Sequence, residues 1–566
     1  MTRSRDRRAG GRRASSAVTY APEREGHRVT RGATHVSARL TTWIVIFAAV
    51  GVAALGIWKG SYSAGDGDAF GYVSQAHLIA NGSLHVEQQF VRSLPWPFAD
   101  WSFAPAGYRP GPARGTLVPV YPVGLPLLMA GFQRLAGPSA VFYVVPLLGA
   151  LCVWLTGQLG TLVHGRLTGM LAAVMVAVSP SFLFQLVQPM SDVPATAWWT
   201  LALVLTLRHS GPAALAAGVA ASAAILTRPN LVPLAAVIGI YFVVLLARRG
   251  GDRRRTAALL ACFVVGAVPG CVAVAVVNNM LYGSPFASGY ESFDSLYALA
   301  NLGPNLDRFP RWLVQTQSPF IFLAFAAPWL ALRGRANATE RPLATADVGL
   351  LLAFAVVVVL SYLFYRPFGR EDWTYLRFLL PAYPALLVLA VAVAVETGRR
   401  ATGDERRAAT LAVVLCQGLS TWLVRESIDR GALRVQLVES RYHDVGQYVA
   451  ATLPANSVLI GHLHAGSIRH YSGRLTMNYL WLERRWLDQA VAELEERGYH
   501  PLIALEEGEM ASFRERFAAQ NALGHLDWPP MAARTEPIRV QIFDPADRAR
   551  FLRGEPIATQ TIERQR

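Results

Sequence analysis

Apolar segments separated by short polar connections dominate the chain from residue 40 onward. Apolar stretches of roughly 17 to 25 residues are long enough to cross the roughly 30 Å hydrocarbon core of a bilayer as helices. Charged residues collect between the segments rather than within them. The pattern predicts eleven spanning helices, at about residues 40–58, 140–162, 168–186, 193–208, 213–227, 231–247, 257–279, 319–333, 346–364, 376–395 and 409–424.

The arginines between these segments predict the orientation of the chain. Every second connection carries arginine, and the richest is the segment 248–255. Because basic loops stay on the cytoplasmic side, we predict a cytoplasmic N-terminus. Alternation then places the connections 59–138, 187–192, 280–318 and 365–375 outside the cell, together with everything after residue 425. The abundance of Arg and Ala and the scarcity of Lys are typical of a GC-rich bacterial genome, so we expect a multi-pass protein of a bacterial cytoplasmic membrane.

Three regions follow from the change of pattern along the chain. Residues 1–39 are rich in Arg, Ser and Gly and lack an apolar run, which predicts a disordered cytoplasmic tail. Residues 40–424 form the predicted transmembrane domain, with a large first extracytoplasmic loop at 59–138. The apolar run Val118–Ala136 in this loop contains three prolines, and we predict an interfacial or re-entrant helix there, because a full span would reverse the side of every later loop.

The region 425–566 has the pattern of a soluble domain. Short apolar runs typical of buried strands alternate with segments of helical periodicity. The predicted strands are Ser457–Gly461, Pro501–Leu505 and Ile538–Phe543, and the predicted helices are Leu487–Arg497 and Glu509–Ala519. This alternation predicts a small extracytoplasmic α/β domain.

Composition supports a membrane protein and argues against a nucleic-acid-binding one. The sequence is 53% hydrophobic and 16% charged, with a mean hydropathy of +0.30. Its formal net charge of +15 comes from arginines between apolar segments, not from a basic surface interleaved with aromatic residues. We therefore expect the lipid bilayer, and no nucleic acid, as a partner.

Three acidic residues on the predicted outer side are candidates for chemistry. Asp66 and Asp68 follow the first span directly, and Asp192 stands at the outer end of the fourth. A carboxylate there can act as a general base on a hydroxyl group or help to hold a divalent cation. Each of Asp68 and Asp192 is equally well suited to cap a helix N-terminus.

Basic and aromatic residues on the same side are candidates for binding. Arg109, Arg228 and Arg377 are suited to bidentate contact with a phosphate group, although an arginine at the membrane surface also snorkels without a ligand. Tyr72 and the loop residues Tyr282, Tyr290 and Glu291 could contact a sugar or an acceptor, or form an ordered loop with ordinary turn chemistry. The candidate arginines are accordingly Arg109, Arg228 and Arg377, and the candidate sugar or acceptor contacts are Tyr72, Tyr282, Tyr290 and Glu291.

Several motifs occur in a fixed order along the chain: Asp68 four residues before Tyr72, the Tyr-Pro-x-Gly-x-Pro-Leu-Leu segment Tyr121–Leu128, Ser191–Pro194, Arg228-Pro229, Tyr282–Pro285 with Gly289-Tyr290, and Arg377–Ala382. Together they resemble the motifs of the GT-C superfamily of polytopic glycosyltransferases, which includes the protein O-mannosyltransferases and the aminoarabinose transferase acting on lipid A. The resemblance covers most of residues 40–400. The chain departs from the commonest pattern at Ala69, where many relatives have a second acid that Asp66 could replace.

The resemblance implies a GT-C-like fold and an inverting transfer of a hexose or pentose outside the cytoplasmic membrane. The donor would be a polyprenyl-phosphate-linked sugar, and the acceptor a hydroxyl of an envelope glycan, lipid or protein. Asp68 would be the general base, with Asp192 and Asp66 supporting the acceptor or a cation. Arg228 and Arg377, with Arg109, would contact the donor phosphate. A divalent cation, Mg or Mn, held by Asp68 and Asp192, is a further expectation.

Two other functions fit the same pattern of spans. A transporter or flippase of lipid-linked glycans would show discontinuous helices in matching halves and charges within the spans, neither of which is clear here. An inactive scaffold that binds envelope polymer through its C-terminal domain would not need Asp68 and Asp192 to meet. An enzyme requires the acids at positions 68 and 192 to converge on one cavity.

Overall fold

The computed structural model describes residues 38–248, 252–333, 343–366 and 372–564. The predicted cytoplasmic tail lies almost entirely outside these ranges, as do parts of three predicted connections. The fold is mainly helical, with a sheet-containing region at the C-terminal end.

The first part of the described chain is a helix followed by a folded loop. Its elements are α1 Ala38–Lys59, α2 Asp66–Ala80, β1 Val86–Glu87, α3 Ala99–Ser102, β2 Tyr108–Pro110, β3 Thr116–Pro119 and α4 Gly124–Ala136. The three strands form an antiparallel sheet in the order β1-β3-β2. The predicted interfacial helix at Val118–Ala136 is thus a strand end followed by the 13-residue helix α4.

Most of the helices that follow occupy the positions of the predicted spans, but two of them, Phe293–Leu296 and Leu302–Gln317, lie in the predicted connection 280–318. In chain order the helices are α5 Val144–Val163, α6 Arg166–Ala177, α7 Pro180–Leu186, α8 Asp192–Thr206, α9 Gly211–Thr227, α10 Pro233–Ala247, α11 Arg253–Tyr282, α12 Phe293–Leu296, α13 Leu302–Gln317, α14 Ala327–Leu332, α15 Thr345–Leu363, α16 Tyr383–Thr402 and α17 Glu405–Asp429. Extended 3₁₀ turns precede α14 at Pro319–Ala326 and α16 at Trp373–Ala382.

The chain is a membrane protein with many apolar helices. Within the described ranges, seven helices are long and apolar enough to span a bilayer, and α6 with α7, bent by 61°, forms an eighth candidate. The other three predicted spans correspond to the shorter helices α8 and α9 and the helical segment Pro319–Leu332. All eleven predicted segments are therefore helical, although not all of them have the full length of a span.

Small residues bring α9 and α11 into backbone contact, and this contact fixes the helix that leads to Arg228. Gly218 on α9 faces Gly266 on α11 so closely that a side chain at either position would meet the other backbone. The Ser222 hydroxyl donates to the carbonyl of Gly266 at 2.7 Å and accepts from the backbone N–H of Gly270 at 2.8 Å. Small residues at such spacing allow close helix packing in membranes.

The C-terminal region is an α/β domain, as predicted. Its elements are α18 Val435–Thr452, β4 Ser457–Gly461, α19 Ala465–Ser472, β5 Leu475–Asn478, α20 Leu487–Glu496, β6 His500–Glu506, α21 Glu507–Phe517, β7 Ala532–Arg534, β8 Val540–Phe543, α22 Pro545–Leu552 and β9 Gln560–Thr561. The sheet order is β5-β4-β6-β8-β7-β9. β4 runs parallel to both of its neighbours, and β8 runs antiparallel to β6.

The first loop and the C-terminal domain share one hydrophobic core. Val91, Trp96 and Phe103 of the loop belong to the same buried cluster as Leu487 and Phe513 of the domain. Phe103 is completely buried. Because the core continues from loop to domain, the two regions support each other although more than 300 residues separate them in the sequence.

Candidate active site

A cavity of about 1230 Å³ collects nearly all of the predicted site residues. It lies where the first loop, the loop 283–299, the N-terminal end of α8 and the C-terminal ends of α9 and α15 meet. Nine of the ten predicted residues line it, namely Asp68, Tyr72, Arg109, Asp192, Arg228, Tyr282, Tyr290, Glu291 and Arg377. The structure therefore brings together residues that the sequence separates by up to 309 positions.

Asp68 projects into this cavity from the first turn of α2, and both of its carboxylate oxygens are engaged. Tyr121 donates its hydroxyl hydrogen to Oδ1 at 2.5 Å, and Nη2 of Arg377 donates to Oδ2 at 2.9 Å. The helix is capped instead by Gly65, without a side-chain hydrogen bond. Burial disfavours the charged carboxylate, but Arg377 and Tyr121 outweigh burial and lower the pKa of Asp68.

Tyr121 is a site residue that the sequence analysis did not single out. Its ring lies on Gly71, one turn along α2 from Asp68, where a Cβ would collide with the ring. The ring of Tyr72 packs on it at 4.7 Å between centroids, and that of Tyr290 at 5.9 Å. The signal was present in the sequence, because Tyr121 opens the Tyr-Pro-x-Gly segment.

Asp192 forms the second ion pair of the cavity. Its Oδ1 accepts from Nη2 of Arg228 at 2.6 Å, and its side chain is 1% exposed. Arg228 also donates to Ser191 and Tyr362. Ser191 in turn accepts the hydroxyl of Tyr72 at 2.8 Å. Asp192 makes no side-chain cap to α8, so the capping alternative does not describe it.

One aromatic ring separates the two ion pairs. The guanidinium carbons of Arg377 and Arg228 lie 5.0 and 5.5 Å from the centroid of Phe378. Cations at such distances are attracted to the face of an aromatic ring. Phe378 therefore helps to hold both guanidinium groups at the same cavity.

Asp66 lies apart from the cavity, unlike the other predicted residues. It opens α2 with a φ of +48°, a left-handed conformation that aspartate tolerates better than most residues. The residue is exposed, and its carboxylate interacts electrostatically with His462 and Arg441 of the C-terminal domain and with Asp68. Asp66 is not among the residues that line the cavity.

The outer part of the cavity holds the remaining predicted residues. Arg109 donates to the carbonyl of Ser288 at 3.2 Å and lies against the rings of Trp101 and Tyr282. Tyr282 donates to the carbonyl of Pro119 at 2.9 Å. Glu291 pairs with Arg366 at 3.3 Å, and both side chains are more than half exposed. These residues connect the loop 283–299 to the first loop.

Of the two acids expected to hold a divalent cation, Asp192 has one buried oxygen, Oδ2, without a hydrogen-bond partner among the described residues. Asp68 and Asp192 each face an arginine, and both Asp68 oxygens already accept hydrogen bonds. Among the described residues, no group of three or more His, Cys, Asp or Glu side chains is arranged to hold a metal. His464 contacts Glu506, and His462 contacts Asn478. In this structure one guanidinium group pairs with each of the two acids.

Comparison with known proteins supports this architecture at the level of the fold. No family model and no curated protein matches the sequence. Among solved structures, apo ArnT from Cupriavidus metallidurans matches with a TM-score of 0.52 at 14% identity, over 84% of this chain and 95% of that one. The Archaeoglobus fulgidus oligosaccharyltransferase tethered to an acceptor peptide matches with a TM-score of 0.50 at 12% identity, over 90% and 74%. The chain has a GT-C fold. The resemblance predicted from the motifs is confirmed at that level.

Proposed function

We propose that the chain is a GT-C glycosyltransferase that moves a sugar from a polyprenyl-phosphate donor to an acceptor hydroxyl on the outer side of a bacterial cytoplasmic membrane. The observation that carries the proposal is the convergence of Asp68, Arg377, Asp192 and Arg228 on one cavity. A scaffold would have no use for this convergence. One similar protein, ArnT, has also been crystallised with undecaprenyl phosphate.

The cavity offers a polar end for a phosphate and an apolar side for a lipid chain. Val274 and Val277 of α11 and Leu360 of α15 line it beside Arg228 and Arg377. Both helices are long and apolar enough to span the bilayer. A lipid-linked donor could therefore keep its chain among these helices while its phosphate meets the arginines.

In the proposed reaction, Asp68 accepts the proton of the acceptor hydroxyl as that oxygen attacks the anomeric carbon. The new bond forms on the face opposite the leaving group, so the configuration inverts. The bond between the anomeric carbon and the phosphate oxygen breaks, and polyprenyl phosphate leaves with both electrons of that bond. Arg377 and Arg228 stabilise the negative charge that grows on the phosphate. No step requires a metal.

Asp192 and Tyr72 support this arrangement rather than act on the substrate. The buried Asp192 carboxylate fixes Arg228, and Tyr72 fixes Ser191, which is a second partner of Arg228. Removal of one partner from a buried ion pair costs about 3–5 kcal/mol, because the remaining charge loses its compensation. Asp192 thus contributes by holding Arg228 in place.

A panel of donors tests the proposal directly. The full chain in nanodiscs is incubated with radiolabelled polyprenyl-phosphate hexoses and pentoses, with the corresponding nucleotide sugars, and with bacterial envelope extract as acceptor. We expect label to reach the extract from a lipid-linked sugar and not from nucleotide sugars. Arg377→Gln should abolish transfer. Arg425→Gln is the matched control, because the Arg425 side chain is 80% exposed. Transfer from nucleotide sugars, or translocation without transfer, would contradict the proposal.

A further inference from the structure

The two ion pairs of the cavity differ in how firmly they are held. Arg228 is bound by Asp192, Ser191 and Tyr362, and Asp192 is almost completely buried. Asp68, in contrast, is 32% exposed on its side chain. The Arg228 pair has the character of a fixed structural element, and the Arg377 pair is the more accessible one.

Arg377 keeps most of its hydrogen-bonding capacity unused. Within the described part of the chain, Asp68 is the residue to which its side chain donates, through Nη2 alone. Its Nε is buried without a partner. A guanidinium group has five N–H donors in a fork that matches phosphate, so most of them are available to an incoming anion. A phosphate that binds Arg377 must compete with the Asp68 carboxylate for the same charge.

We propose that the Asp68–Arg377 ion pair is a latch that the donor phosphate opens, so that Asp68 becomes free to accept a proton only when a donor is bound. The inference rests on the proposed function, because it takes the phosphate to bind Arg377. Tyr121 keeps its hydrogen bond to Oδ1 and holds the carboxylate in place while Arg377 turns to the phosphate. Without a donor, the base stays neutralised by its partner.

The latch predicts that loss of the Asp68 charge changes donor affinity in the direction opposite to loss of an ordinary ligand contact. If Asp68 competes with phosphate, removal of its negative charge should strengthen phosphate binding, whereas removal of a residue that helps to bind the donor, directly or through a cation, should weaken it. Charge-assisted hydrogen bonds are worth about twice as much as neutral ones. We expect the Kd for polyprenyl phosphate to fall about tenfold in Asp68→Asn, which corresponds to about 1.4 kcal/mol.

The experiment measures binding of undecaprenyl phosphate to the purified full chain in detergent, without sugar or acceptor. Asp68→Asn and Asp68→Ser are compared with wild type after thermal unfolding confirms that each variant is folded. The two replacements remove the charge in different ways, so agreement between them excludes an effect of the new side chain. Tyr108→Phe loses only a hydroxyl that donates to Ser74, retains both charges and is the matched control, with an expected Kd within about twofold of wild type.

Three further arms identify the ligand and the latch. Arg377→Gln should lose binding. Polyprenol without phosphate should bind wild type and Asp68→Asn equally. Inorganic phosphate shows whether the phosphate alone opens the latch, because it should then also bind Asp68→Asn more tightly.

An unchanged or weaker affinity for undecaprenyl phosphate in both Asp68 variants would overturn the latch. Tighter binding in a protein that transfers no sugar would retain the latch and reject the proposed function.

Discussion

Asp68 has its chemical character from two contacts that lie far from it in the sequence. Arg377 is 309 residues away and Tyr121 is 53 residues away, yet they engage the two oxygens of one carboxylate. Their combined effect lowers the pKa of Asp68 despite its burial. At neutral pH the group is therefore ionised and able to accept a proton, but it is a weak base until one of its partners withdraws.

Replacement of Tyr121 by Phe tests this at the residue level. The ring remains against Gly71, but Asp68 loses a hydrogen bond that favours its charged form, so its pKa rises. The proposed reaction needs ionised Asp68, and the acidic limb of the pH profile of kcat/KM should therefore move to higher pH. A hydrogen bond to a charged group is worth about 1.5–3 kcal/mol, so a shift of about one to two pH units is expected.

The matched control is Tyr108→Phe. Tyr108 is buried near the same helix and donates to Ser74 at 2.9 Å, but it does not contact Asp68. Its pH profile should coincide with that of wild type. An unshifted profile in Tyr121→Phe would mean that Tyr121 does not set the ionisation of the catalytic group.

At the level of elements, α2 is shaped to carry the site. Its first turn presents Asp68, and its next turn has glycine at position 71, which leaves room for the Tyr121 ring. The helix also packs against the C-terminal domain, because Phe70 lies against Gly466 of α19. One short helix thus joins the carboxylate, its positioning tyrosine and the C-terminal domain.

Gly71→Ala should therefore impair activity more than stability. The added methyl group would collide with the Tyr121 ring and move its hydroxyl away from Asp68. We expect at least a tenfold loss of kcat, measured in the lipid-linked donor assay, in a protein that still folds. Gly131→Ala on α4 is the control, since no atom lies within 4 Å of its added Cβ. Equal activity in the two variants would show that the glycine at 71 is not needed to seat Tyr121.

The sequence predicts the helices and strands of this protein more completely than it predicts the contacts between them. Apolar runs of sufficient length place all eleven helical segments, because the bilayer fixes how long such a run must be. The strands β1, β2 and β3 have two to four residues, too few to produce a recognisable alternation. The helix α18 and the strand β5 were likewise not predicted.

For the candidate site, too, the sequence predicts the residues better than it predicts their contacts. Motif order and the arginine loops placed Asp68, Asp192, Arg228 and Arg377 on one side, and the structure gathers them in one cavity. The pairing of each acid with a particular arginine depends on how distant helices pack, which no single sequence displays. Asp66 illustrates the converse, because its position two residues from Asp68 suggested a shared role, yet its side chain lies outside the cavity lining.

At the level of the whole molecule, the first loop is the link between the membrane helices and the C-terminal domain. It contributes Phe103 and Trp96 to the core of that domain. Arg469 of the domain reaches back and donates to the carbonyl of Phe103 at 3.0 Å. The predicted division at residue 425 therefore describes the chain order, while the loop 59–138 folds together with the domain that follows.

Phe103→Ala should loosen this link. The side chain is fully buried, and a Phe to Ala change in a packed core costs about 3–5 kcal/mol. We expect limited proteolysis to cleave the C-terminal domain of the variant at a lower temperature than that of wild type. Mass spectrometry of the fragments measures this. Phe98→Ala in the same loop is the control, because Phe98 is 61% exposed. If both variants resist proteolysis as wild type does, the shared core does not stabilise the domain.

The proposed role of Asp68 as general base is tested most directly by sugar transfer in Asp68→Asn. The variant and wild type are compared at matched membrane expression, with a radiolabelled polyprenyl-phosphate sugar that wild type uses. The variant keeps the shape of the side chain but cannot accept a proton. We predict a loss of kcat of at least about a hundredfold, within the range of general-base catalysis, in a protein that thermal unfolding shows to be folded. Transfer at the wild-type rate by a folded Asp68→Asn protein would contradict the assignment of Asp68 as the base.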